Sequence, residues 1–423
     1  MTNWRVISSL LLTYFVFAIL LNSVGTVILQ VINTYGVSKE SASVLEGFKD
    51  LSIAAVSFLT ASFLPRLGYR RAMILGLAIV TLACLMTPVF NSFLGTKLMF
   101  LAAGVSFALV KVSVYSTVGL VTASRRAHAG LMNTIEGVFM IGVLSGYWLF
   151  GAFIDSDDPG SDRWLDVYWV LAAICLANIA LLVFTPFDET GARAPERSLS
   201  GEFVGMLRLV VRPLVLVFVI SAFLYVLIEQ GIGTWLPTFN NQVLKLPAAM
   251  SVQATSIFAA CLAVGRLSAG VIMRRVRWYP VLNVCVLAMA GLVVLTLPLT
   301  RGIDADADIT WLNAPAAVYI FPFIGLFMAP IYPAINSVML SALPKDQHAA
   351  MTGLIVIFSA LGGTTGSVIT GFVFAAFDGQ TAFYMSLVPM AAILITLYFF
   401  RLETDRIAGA AAPRAPAAQP TQN

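Results

Sequence analysis

Long apolar runs separated by short polar turns fill nearly the whole chain. They fall at about residues 6–31, 42–64, 72–90, 98–121, 131–154 and 165–186, and again at 213–236, 251–273, 279–300, 312–342, 351–377 and 381–400. Each is close to or above the ~20 residues an α-helix needs to cross a ~30 Å hydrocarbon core. The pattern predicts an all-α integral membrane protein with 12 transmembrane helices. The first run follows MTNWR, is longer than a signal-peptide core and lacks a small-residue cleavage site, so it is read as a retained span.

An internal repeat divides the spans into two six-helix, pseudo-symmetric bundles. HAGLMNTIEGVFMIGVLSG from His128 aligns with HAAMTGLIVIFSALGGTTG from His348, setting Gly142, Gly146 and Gly151 on Gly362, Gly366 and Gly371. Small residues at such spacing let helices approach closely, and packing is the preferred reading of these glycines. Arg70 and Arg71 likewise match Arg274 and Arg275. The expected organisation is an N-terminal bundle over 1–187, a cytoplasmic linker with an amphipathic segment over 188–212, a C-terminal bundle over 213–400 and a disordered Ala/Pro-rich tail over 401–423.

Composition agrees, since 59% hydrophobic and 11% charged residues exclude an ordinary soluble domain. The distribution of Lys and Arg adds orientation. On one side of the spans only Lys39, Lys97, Arg163, Lys245 and Arg301 occur, whereas most of the 25 lie on the side of the termini. By the positive-inside rule both termini are expected in the cytoplasm, with the protein multi-pass in the inner membrane. Cys84, Cys175, Cys261 and Cys285 sit inside apolar runs, so neither a disulfide framework nor a metal site is expected. No GxxxxGK[ST] phosphate loop occurs, which excludes ATP as the direct energy source. No catalytic constellation, cofactor or nucleic-acid partner is expected; the expected partners are a small-molecule substrate, protons and the lipid bilayer, and the expected state is a monomer.

Charges within spans are the candidate chemistry, because each costs ~2.5–3.5 kcal/mol at the bilayer centre on insertion scales and normally faces a watery pathway. Glu46, Lys49 and Asp50 lie at i, i+3 and i+4 in the second span. Lys111 lies near the middle of the fourth, too deep to snorkel, and Asp50 is its first expected partner, ahead of Glu46, Glu136 and bound substrate. Glu136 is expected to face the inner vestibule or to latch an inner gate to Arg125 or Arg126, ahead of a role in proton transfer. Glu229 and Gln230 precede Gly231 and Gly233, which weaken the seventh helix and are expected to let the pair bend toward substrate. Pro322, Pro330 and Pro333 surround Tyr332 and Asn336, and Asn22, Gln30, Tyr115 and Tyr225 complete an expected polar cavity with aromatic walls.

PRLGYRR between the second and third spans, and GRLSAGVIMRR at the eighth and ninth, together with the two six-helix halves, resemble the major facilitator superfamily over nearly the whole chain. The resemblance implies alternating access around a site between rocking halves. It also implies gating roles for Arg66, Arg70 and Arg71 and for Arg266, Arg274 and Arg275. Pro65 stands where the family's loop usually carries an Asp. LYVLIEQGIGTWLP is similar to the seventh helix of the fucose-galactose-glucose proton symporters, which implies a sugar-like solute and proton symport. The alternatives are a small organic anion held by Lys111, drug or metabolite efflux, and a non-transporting membrane sensor.

Overall fold

A computed structural model describes residues 4–122, 124–185, 205–206, 208–303, 309–344 and 347–411. The expected linker over 188–212 falls largely outside the described residues. The twelve spans are α1 (Trp4–Asn22, resuming as Val24–Tyr35), α2 (Lys39–Leu67), α3 (Tyr69–Phe90), α4 (Phe93–Val121), α5 (Arg125–Phe153) and α6 (Val167–Val183). In the second half they are α7 (Pro213–Gly233, resuming as Leu236–Gln242), α8 (Ala248–Ile272), α9 (Trp278–Thr296), α10 (broken between Ala317 and Ala342), α11 (His348–Ala376) and α12 (Gly379–Tyr384, then Leu387–Ala411). The last helix runs past 400, so residues 401–411, expected in a disordered tail, are helical. Ion pairs at i, i+4 and i, i+3 support that extension: Arg401 with Asp405 at 3.5 Å and Arg406 with Glu403 at 3.0 Å.

Short turns start their helices with side-chain caps. Ser38, Ser92 and Ser124 each accept from the backbone N–H three residues on, at Ser41, Gly95 and Ala127. Within the N-terminal half, fully buried polar groups join helices: Ser9 donates to Asn178 at 2.9 Å, and Asn178 to Thr13 at 2.6 Å.

The repeated glycines are close-packing positions. Gly142 and Gly146 press α5 onto Phe15 and Ile19 of α1; Gly362 and Gly366 press α11 onto Phe223 and Leu227 of α7. The same geometry thus recurs in both halves. Gly151 and Gly371 instead meet the other half, at Gln253 and Ser43.

Twelve alternating spans put both ends of the chain at one end of the bundle, and the halves close against each other at the opposite end. There Ser367 donates to the Ser43 carbonyl at 3.2 Å, Ala249 N–H donates to Ser156 Oγ at 3.2 Å, and Trp148 stacks on Trp311 with centroids 6.0 Å apart. In the turn holding Ser156, the Asp158 and Asp157 backbone N–H groups keep the Asp155 carboxyl below the usual carboxylate range. Toward the termini α5 and α8 are largely exposed, and a Cβ at Gly130, Gly137 or Gly270 would meet nothing within 4 Å.

Candidate functional site

The site is built where two broken helices cross. α1 breaks at Ser23 and α7 after Gly233, and Gly25 lies so close to the Thr234 carbonyl that a side chain there would overlap it. A break interrupts the i to i+4 ladder and releases carbonyls, which a membrane interior leaves short of partners. Lys49 of α2 answers that need by donating to the Leu21 carbonyl at 3.3 Å.

Lys49 also holds two acids of its own helix, Glu46 at 2.5 Å and Asp50 at 3.4 Å. Its three donors are therefore all engaged. Glu46 is fully buried, and its second oxygen accepts from Thr234 in the other half at 3.0 Å. The Thr234 hydroxyl lies equally near Gln230 Oε1, at 3.1 Å, so its single proton serves one of the two. Asp50 Oδ2 packs against Gly363 of α11, where a Cβ would collide with it. The triad thus meets the other half from two sides.

Beside it opens a cavity of about 230 Å³, lined among others by Asn22, Glu46, Lys49, Tyr147, Glu229, Gln230, Thr234 and Arg266, with Phe139 and Phe258 as apolar walls. Tyr225 donates to Glu229 Oε1 at 3.1 Å and stacks on Tyr332, centroids 5.4 Å apart. Tyr332 in turn bonds Ser359 at 2.8 Å. Arg266 approaches Glu229 at 3.9 Å and Met140 Sδ of the other half at 3.6 Å.

A second polar cluster lies nearer the termini. Tyr115 donates to Glu136 at 2.7 Å and stacks on Tyr14, while Lys111 lies 5.7 Å from the centroid of the Phe107 ring. The expected Asp50–Lys111 pair is not formed: Asp50 takes Lys49, and Lys111 lies over the Phe107 ring. Nor does Glu136 latch onto Arg126, which lies about three turns away on the same helix; its partner is Tyr115, and the Arg125 side chain lies outside the described residues.

A family model described as Major Facilitator Superfamily matches residues 10–321. The chain belongs to the major facilitator superfamily. It is a multi-pass membrane transporter, and no curated protein matches it as a whole sequence. Solved structures of this superfamily share the fold. A bacterial homologue of the human lysosomal transporter Spinster, inward-facing and unoccupied, has a TM-score of 0.75 at 14% identity, covering 98% of this chain and 100% of its own. The nucleoside transporter NupG has a TM-score of 0.69 at 13% identity, covering 94% and 98%. The E. coli fucose:proton symporter FucP has a TM-score of 0.59 at 15% identity, covering 95% and 99%. At these identities the likeness is one of fold.

Within this superfamily member, Asn22, Glu46, Lys49, Glu229 and Gln230 come together at the cavity, with Asp50, Tyr225 and Tyr332 directly behind. Asn336 stands on α10 with its Oδ1 buried and unpartnered. The arginines divide. Arg266 lines the cavity rather than a loop gate, whereas Arg70 donates to the Leu182 and Val183 carbonyls at 2.8 and 2.5 Å, closing the end of α6 within one half. Arg71, Arg274 and Arg275 are exposed, and the Arg66 side chain lies outside the described residues. Thr234, Tyr147 and the Ser43–Ser367 contact escaped the sequence reading. Thr234 sits inside the GIGTWLP motif, directly after Gly233.

Proposed function

We propose that this protein is a secondary active transporter that carries a small polar, sugar-like solute across the inner membrane by alternating access, coupled to protons through Asp50. The observation that carries the reading is the cavity itself: it lies between the halves, closed at one end and approached from the other, and is lined by hydrogen-bonding groups and intramembrane charge. With the basic residues marking the cytoplasmic side, the open end faces inward. The fucose:proton symporter of similar fold supports the sugar-like choice. Glu46, Lys49 and Asp50 carry two carboxylates and one ammonium, so a proton on the triad neutralises the excess charge. Asp50 is the acid placed where the halves part, against Gly363. The halves, linker and short tail act as two rocking bundles and their tether.

Orientation has a direct test. Cysteines at Asp157 and Asp405, both exposed at opposite ends, are expected to react differently with an impermeant thiol reagent in intact cells. Residue 157 should label and 405 should not; the reverse pattern inverts the topology. Gln230→Ala is expected to weaken solute binding by ~0.5–1.5 kcal/mol, the worth of one neutral hydrogen bond. Unchanged affinity in both Gln230→Ala and Glu229→Gln would move the site away from α7. Flux in proteoliposomes tests transport itself, and a solute bound tightly yet never moved would favour a sensor.

A further inference from the structure

We infer that the solute carries a carboxylate received by Arg266, so that the cavity takes an acidic sugar, a polyhydroxylated monocarboxylate, in preference to a neutral one. This rests on the sugar-like reading above and adds the charge of the substrate to it.

The cavity is lined by two cations in opposite conditions. Lys49 is 6% exposed and its donors are taken by Glu46, Asp50 and the Leu21 carbonyl. Nothing is left there for a ligand. The Arg266 side chain lines the cavity and is 44% exposed, and its nearest partners among the described residues are a thioether and a carboxylate at the edge of ion-pair range. Nη1 meets the Met140 thioether at 3.6 Å, a weak acceptor, and Nη2 stands 3.9 Å from Glu229 Oε1, beyond hydrogen-bond reach. A guanidinium presents a planar fork of N–H donors that fits a carboxylate with two parallel bonds. Here that fork faces open space.

Glu229 does not fill it, because Tyr225 donates to the same Oε1 at 3.1 Å and holds the carboxylate back. A solute carboxylate can therefore sit on the guanidinium while Glu229 stays on Tyr225. The remaining walls suit the rest of an acidic sugar: Gln230 and Asn22 offer amides to hydroxyls, and Phe139 and Phe258 offer flat apolar faces to ring carbons. Lys111, an intramembrane cation with no ion pair among the described residues, lies over Phe107 and is not part of the cavity lining.

The test compares D-glucuronate, D-galacturonate and D-gluconate with D-glucose and D-galactose, as ligands of the purified full-length protein and in counterflow. At least one acid is expected to bind roughly tenfold or more tightly than its neutral counterpart, the effect of a charge-assisted pair. Arg266→Gln should erase that preference, and Arg266→Lys, which keeps the charge but not the fork, should retain part of it; all variants are compared at equal melting temperature and monodispersity. If Arg266→Gln does not fold, Arg266→Lys carries the test, and an unchanged acid preference there overturns the inference. So does binding of neutral sugars with no preference for acids, or loss of the preference in Lys111→Gln and not in Arg266→Gln, each of which leaves the sugar-like reading standing. If neither acids nor neutral sugars bind the folded protein, the sugar-like reading falls and this inference falls with it.

Discussion

Asp50→Asn is expected to abolish accumulation of solute against a gradient while leaving exchange across the membrane intact. Asp50 is 3.4 Å from Lys49 and pressed against Gly363, so opening of the closed end removes its packing partner and exposes it to the far side. A carboxyl that changes both its neighbours and its access to water within one cycle has what proton coupling requires. An amide keeps the size and one acceptor oxygen for Lys49, and loses the charge and the titration. The measurement is solute-driven pH change in proteoliposomes beside counterflow. Full proton movement in a well-folded Asp50→Asn protein would sink the assignment, and loss of counterflow as well would make Asp50 a binding residue instead.

Lys49→Met is expected to have the largest effect on stability, about 3–5 kcal/mol, the usual cost of leaving buried charge without its partner. It strands two acids, one fully buried, and frees the Leu21 carbonyl at the α1 break. Thermal unfolding in detergent reads this loss. Combining Lys49→Met with Glu46→Gln and Asp50→Asn removes the stranded charges and should recover most of it. A Lys49→Met protein that melts with the wild type would mean that water, not the lysine, solvates these acids.

How far the candidate site was legible from the chain depended on the kind of contact. Glu46 with Lys49 could be read, because residues three apart share a helix face. The Lys49–Asp50 contact could not, since adjacent residues on a helix point apart and only the flexible lysine stem brings the ammonium between the two acids. Asp50 with Lys111 was the natural pair by depth and charge, and failed because depth along two helices does not say which faces meet. Arg70 carried a gate role by its loop motif, yet the unpaired carbonyls at the end of α6 claimed it.

By itself the sequence determined the twelve spans, the membrane environment, the two-fold repeat and the presence of costly charge in α2, α4, α5, α7 and α8. These follow from local arithmetic: the length of an apolar run against the thickness of a bilayer, and the period of a helix. Only the tertiary structure decided that α1 and α7 break at the same level, that Thr234 joins Glu46 across the halves, and that Arg266 rather than Lys111 is the open cation of the cavity. Those contacts join residues far apart in the chain, and they depend on the rotation of each helix about its own axis. Packing against neighbouring helices sets that rotation, and no single segment encodes it.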